Sequence, residues 1–153
     1  MNALELKHAV AERLRRDKWL RRKQVTIIAD DAGDIAEAVR AALAGLGIAV
    51  IVGNLGATAK SAASRAIVCE SQLVVSVVET PLANRGRADH ADCAAVLEHI
   101  AGALNLAPLK PPREGEPVLP VFISYRLAPV SHAEARGEAH FSAQTTISPP
   151  DEG

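Results

Sequence analysis

Residues 25–53 read VTIIADDAGDIAEAVRAALAGLGIAVIVG, and their rhythm changes twice. Val25 to Ala29 is a short β-branched run, the pattern of a buried strand. Ile35, Val39, Leu43 and Leu46 then recur at i, i+4, i+8 and i+11, the spacing of one face of a helix. Acidic residues precede that helix, where the positive end of its dipole favours them, and Asp31 and Asp34 are placed to cap it. Gly45 and Gly47 supply its stop. Ile48 to Val52 is a second strand. The block is therefore a strand–helix–strand unit.

Before it, Leu6, Val10 and Leu14 predict a helix over about residues 3–16, followed by a charged connection from Asp17 to Lys23 around Trp19. After it, Gly53 to Ser64 is small and polar, a loop or an exposed hairpin. Ile67 to Val78 reads as a longer strand that Pro81 ends. Asp89 is expected to cap a third helix, with Cys93, Leu97, Ile100 and Leu104 on one side. A proline-rich link covers Pro108 to Pro120, and strands are expected at about 121–130 and 138–147, joined through His132–Gly137. Residues 149–153 read as a frayed tail. The order αβαββαββ, ending in adjacent strands, predicts one α+β domain over residues 1–148. Its sheet should be mixed but mainly antiparallel, packed against two or three helices.

The totals narrow the function. The chain has 153 residues and a net charge of −1, so no global charge draws it to nucleic acid or membrane. Trp19, Phe122, Tyr125 and Phe141 are its four aromatics, too few for a base-stacking platform. Cys69 and Cys93 form no CxxC pair; they suit a reducing cytoplasm and neither require nor exclude a disulfide. No apolar stretch is long enough to span a bilayer. Lys7, Arg13, Arg15, Arg16, Lys18, Arg21, Arg22 and Lys23 put eight of the 17 basic residues in the first 23 positions. That run reads as the solvated face of an amphipathic helix, and it can also touch phosphate.

Four constellations invite a catalytic or ligand-binding reading. Asp30-Asp31 at a strand end resembles the magnesium-binding pair of response-regulator receiver domains, but Glu79 stands where that family carries its acceptor aspartate, and there is no Lys-Pro after a late strand. Gly53–Ser61 imitates a phosphate-binding loop, yet Ala59 occupies the place of the glycine before Lys60-Ser61. His90 and Cys93 lie one helical turn apart, without the two further ligands that zinc needs. Glu70 and Glu79 are nine apart on one strand, too distant for a carboxylate dyad. These readings lead to no catalytic residues, no metal site and no cofactor.

The stretch Val77–Gly86, VVETPLANRG, gathers a carboxylate, a hydroxyl, an amide and a guanidinium. With no second constellation to meet it, it reads as a shaped connector. Pro81 stops the strand, Gly86 turns the chain, Asn84 bonds backbone locally and Leu82 anchors the turn. Glu79 and Arg85 are left to pair with each other or with a neighbouring subunit.

The order of these features resembles the phage tail-completion proteins, in the tail-terminator or minor-tail-protein class. The resemblance runs over nearly the whole chain: the first helix and Trp19, the block at 25–53, the strand leading into ETPLANRG, and the final strand pair FISYRLAPVSHAEARGEAHFSAQTTI. It implies a non-enzymatic structural protein that assembles with itself into a ring, commonly hexameric, and meets other tail or head–tail proteins. It implies a place in the host cytoplasm during assembly and then in the virion tail, with no membrane partner. The interface candidates are Glu79, Pro81, Asn84, Arg85 and Gly86, together with Arg15, Arg16, Arg21 and Arg22 of the basic run. Those arginines are expected either to contact DNA non-specifically in a ring channel or to pair with acids of the next subunit. The alternative reading is a degenerate, receiver-like cytoplasmic regulatory domain without phosphotransfer.

Overall fold

The computed structural model describes residues 1–30, 34–61, 64–128 and 133–151. Helix α1 (Ala3–Arg16) begins with a reciprocal cap. Asn2 accepts from the Glu5 N–H at 2.8 Å, and the Glu5 carboxylate accepts from the Asn2 N–H at 2.9 Å. The connection expected over 17–23 is instead a short helix, α2 (Lys18–Arg22), because the Asp17 carboxylate accepts from the Leu20 N–H and starts a new turn. Strand β1 (Thr26–Ala29), helix α3 (Ile35–Gly45) and strand β2 (Ile48–Ser61) follow as the 25–53 block predicts. Asp34 caps α3 through the Glu37 N–H; the cap expected from Asp31 lies outside the described residues.

Past α3 the chain reverses through Gly47, at φ +77°. A Cβ there would run into the backbone nitrogen of Asn84 and come within 2.9 Å of the Ala83 Cβ. Glycine is required twice over, by the left-handed backbone and by the close approach.

Strand β2 does not end at Val52. It continues to Ser61 and pairs antiparallel with β3 (Ile67–Glu79), with register shifts at Asn54/Gly56 and Ala59/Ser61. Of the two expectations for this segment, the exposed hairpin holds as far as Ser61; every residue from Asn54 to Ser61 is exposed. Helix α4 (Pro81–Arg85) occupies the expected turn, and α5 (Cys93–Leu104) is capped by Asp92, not Asp89. Asp89 faces Lys23 and Arg22 instead. Strand β4 (Val121–Leu127) is shorter than its expected span, whose last residues lie outside the described ones. Strand β5 (Ala135–Ile147) starts earlier than expected.

The five strands form one sheet in the order β1-β2-β3-β5-β4; only β1–β2 is parallel. This is an α+β fold with a mixed, mainly antiparallel sheet. Alternation assigns the faces. Val50, Val52, Leu73, Val75, Val77, Ala139 and Phe141 are buried in one cluster with Leu6, Val10 and Leu14 of α1 and Val96, Leu97 and Ile100 of α5. Helix α3 adds no residue to that cluster; it lies against β1 and β2, where the residues of opposite parity, Ile28 and Ile51, are half-buried.

Candidate functional site

Strand β3 ends on Glu79, whose side chain is 0% exposed. A buried carboxylate is tolerated only when its oxygens are bonded, and this one is held on several sides. Asn84 Nδ2 donates to Oε2 at 2.6 Å, the Cys93 N–H donates to Oε1 at 3.1 Å, and the Arg85 guanidinium reaches both oxygens at 3.3 and 3.5 Å. Cys93 is the first residue of α5, so the carboxylate also sits at the positive end of that helix. Glu79 and Arg85 therefore do pair with each other, and the pairing raises the Arg85 pKa above its ordinary value. The guanidinium is half-exposed, so solvent screens that ion pair.

Asn84 is the hub. It is fully buried, donates a second time to the Ala91 carbonyl at 2.8 Å, and accepts from Arg87 Nη2 at 2.7 Å. Arg87 goes on to the Lys23 carbonyl at 3.0 Å and to Gln24 Oε1 at 3.1 Å, where Gln24 has φ +57°. One polar network thus ties the turn before β1 to the end of β3 and the start of α5. Arg87 and Gln24 had no motif to announce them. The bonds span 63 and 64 residues of sequence.

The expected role of Pro81 is kept in a modified form: it occupies the first position of α4, where its missing N–H costs nothing. Leu82 does not anchor the turn, because it is 84% exposed on the outer side of that single helical turn. Gly86 takes no special conformation. Its φ is −76°, ordinary right-handed backbone, and the left-handed glycine at this corner is Gly47 on the neighbouring connection. Gly47 O accepts from the Thr80 N–H at 2.7 Å, so the two connections are bonded.

The remaining constellations separate. Burial, then Glu79 and Asp92, push the Cys93 thiol up to about 12, so it is no nucleophile at neutral pH; it donates to the Val77 carbonyl. His90 is exposed beside the Arg87 carbonyl, 3.0 Å from it. Glu70 is exposed, accepts from Ser142 at 2.6 Å and has the opposite parity on β3 to Glu79. Gly53–Ser61 is strand and does not form a phosphate loop. Asp30 is exposed at the end of β1, and Asp31 lies outside the described residues. Among the described residues, no group of three or more His, Cys, Asp or Glu side chains is placed to hold a metal.

The basic run splits among several environments. Arg15 Nη2 donates to the Ile27 carbonyl at 3.2 Å and Lys7 Nζ donates to the Asp30 carbonyl. Arg16 borders a groove of about 740 Å³ between α1 and the proline-rich link, lined also by Leu4, His8, Arg13 and Leu109. Arg22 lies 3.5 Å from Asp89. Arg21 is exposed.

The most unusual surface lies elsewhere, on the edge strand β4. Ile123 is an extra residue between Phe122, opposite Phe141, and Ser124, opposite His140. This bulge switches the side-chain alternation midway along the strand. Val121 and Ile123 lie before or at the switch, while Tyr125 and Leu127 follow it opposite Ala139 and Gly137. All four are exposed, from 42% at Tyr125 to 55% at Ile123. Leu106, bonded to the Pro120 carbonyl, and Leu119 extend the strip. Six of the ten exposed large apolar side chains among the described residues are therefore on this one edge (106, 119, 121, 123, 125 and 127).

No helix among the described residues is long and apolar enough to cross a membrane. Comparison of the chain with models of known protein families and with curated proteins finds no match.

Proposed function

We propose that the chain is a non-enzymatic structural protein of a phage or prophage tail, in the tail-terminator or minor-tail class, and that it acts by self-assembly at the tail end or head–tail junction. The observation that carries this reading is the apolar strip along β4. Exposed apolar side chains along an edge strand favour association, since water contact is unfavourable and, past Phe122, whose N–H donates to Asn105 Oδ1 at 3.0 Å, no described strand pairs with the outer side of β4. The Glu79–Asn84–Arg85 network supports the same reading by its form: a buried carboxylate and a buried amide, bonded to each other and to a half-exposed guanidinium, brace a scaffold. Assembly takes place in the host cytoplasm and ends in the virion tail, through copies of itself and other tail or head–tail proteins. Arg16 and Arg21 are among the exposed basic residues that can contact passing DNA non-specifically or pair with acids of the next subunit.

Light scattering across a concentration series, with negative-stain imaging of the heaviest species, tests the reading. A closed ring, such as a hexamer, that appears as concentration rises is the expected result. A chain that stays monomeric from micromolar to millimolar concentration refutes it.

A further inference from the structure

We infer that β4 takes its missing partner from a second copy of this chain, and that the partner strand is the outer half of β2, Gly53–Ser61. The inference rests on the assembly reading and names the elements that meet. The sheet has two edges of unequal accessibility. On the β1 side the strand is only four residues long, with Arg15 on the Ile27 carbonyl and Lys7 on the Asp30 carbonyl just past its end. On the β4 side the Phe122 N–H donates to Asn105 Oδ1, and no described strand pairs with the rest of the seven-residue edge. Strand β1 covers β2 only at Ala49–Val52, however. From Gly53 to Ser61, no described strand lies on the outer side of β2.

The two edges that no described strand covers are complementary in three respects. Bulk comes first: β4 offers Val121, Ile123, Tyr125 and Leu127, whereas the outer half of β2 offers the small residues Gly56, Ala57, Thr58 and Ala59 beside a single large apolar one, Leu55. Direction is the second. Pairing is antiparallel at every step from β2 through β3 and β5 to β4, so β4 runs opposite to β2. A second copy in the same orientation therefore presents its β2 antiparallel to β4, continuing the sheet.

Stagger is the third. Through β5 and β3, Val121 to Leu127 lie level with Gln72 to Val77 of β3, while Gly53 to Ser61 lie level with Val74 to Val68. The two centres differ by about 3.5 residues, or roughly 12 Å along the strands, over four strand spacings of together about 19 Å. Joining them tilts the strands by about 30° to the assembly axis, just below the 35–45° of closed barrels. The contact joins two different surfaces, a heterologous interface that forms a ring where the rotation between copies closes and a filament where it does not.

Disulfide trapping tests the pairing on the full chain. Ser124 and Ala57 are exposed, and native Cys69 and Cys93 are buried. Ser124→Cys is combined in turn with Ala57→Cys, Thr58→Cys and Ala59→Cys, and each protein is oxidised mildly after its melting curve is matched to the parent's. The expected result is a covalent ladder of dimers, trimers and higher species in at least one double variant, and none in any single variant. A covalent dimer from Ser124→Cys alone assigns β4 to β4 and overturns the inference. Assembled particles without a ladder in any combination overturn it too, while leaving the assembly reading intact. A monomer throughout refutes that reading, and the pairing with it.

Discussion

Replacing Asn84 with alanine removes three hydrogen bonds at one buried point. The Glu79 carboxylate loses its shortest donor at 2.6 Å, the Ala91 carbonyl loses its donor at 2.8 Å, and Arg87 loses an acceptor at 2.7 Å. Hydrogen bonds to charged groups contribute about 1.5–3 kcal/mol, and an orphaned buried acceptor costs about 1–3 kcal/mol. Arg87 retains the Lys23 carbonyl and Gln24, so its share is small. The total expected loss is about 3–5 kcal/mol. For a chain of this length that lowers Tm by roughly 6–20 °C, at about 2–4 °C per kcal/mol.

Two companions isolate the cause. Arg85→Ala should cost about 1 kcal/mol, because the half-exposed guanidinium is screened and Glu79 keeps Asn84 and the Cys93 N–H. Asn84→Asp places a second carboxylate against the first. Two such groups cannot both ionise comfortably, so one takes a raised folded-state pKa. A raised acid pKa confers stability below the unfolded value and loses it as pH rises, so the Asn84→Asp deficit should be largest at neutral pH and shrink toward about pH 4. Urea unfolding at fixed protein concentration measures all three. If Asn84→Ala unfolds within about 0.5 kcal/mol of the parent, the network is not a brace and the reasoning fails.

Gly47→Ala should destabilise by about 3 kcal/mol or more, since it combines a left-handed backbone with a collision at the Asn84 backbone; a melting curve equal to the parent's would contradict both. Burial opposes charge on Asp17, but the Leu20 N–H and His99, whose Nε2 lies 2.9 Å away, outweigh it and hold the carboxyl below its usual range. A depressed acid pKa gives stability above the unfolded value and loses it as pH falls through the folded one. Asp17→Asn should therefore be the less stable protein at pH 7, with the gap closing below about pH 4; a gap independent of pH would show that the charge has no part. Iodoacetamide at pH 8 should leave Cys93 unmodified in the native chain and label it on unfolding, as mass spectrometry of the digested protein would read; rapid native labelling would refute its burial.

What the sequence disclosed follows the range of the forces involved. The strand–helix–strand block was legible because hydrophobic period is local: Ile35, Val39, Leu43 and Leu46 state their helix within a few turns. The antiparallel end of the sheet followed from two adjacent strands. The identity of the helix cap did not, since Asp89 and Asp92 both precede α5 and only the long-range pull of Lys23 on Asp89 separates them. Extension of β2 to Ser61 was hidden because Gly56, Ala57 and Ala59 have weak strand propensity, and pairing with β3 overrides it. Burial of Glu79 was equally invisible. A carboxylate after an apolar strand looks solvent-facing until Asn84 and the start of α5 close over it.

The two polar and apolar peculiarities of the molecule answer different needs. On the assembly proposed above, the chain must keep the register of its sheet while its edge is pulled by a neighbour. The Glu79–Asn84–Arg87 network fixes the corner from which β3 and α5 depart, and it links that corner to Lys23 and Gln24 just before β1. Those bonds are directional, so they resist sliding where apolar packing alone does not. Strand β4 has the opposite character: one pairing partner, a bulge at Ile123, and apolar side chains left in water. Such an edge is a liability in a monomer. It becomes favourable when a second chain covers it, because burying the side chains from Val121 to Leu127 then contributes about 25 cal/mol for each Å² removed from water. A substitution in the brace should therefore lower the melting temperature in proportion at every protein concentration, whereas Ile123→Lys should leave the dilute chain folded and move only the concentration at which particles form.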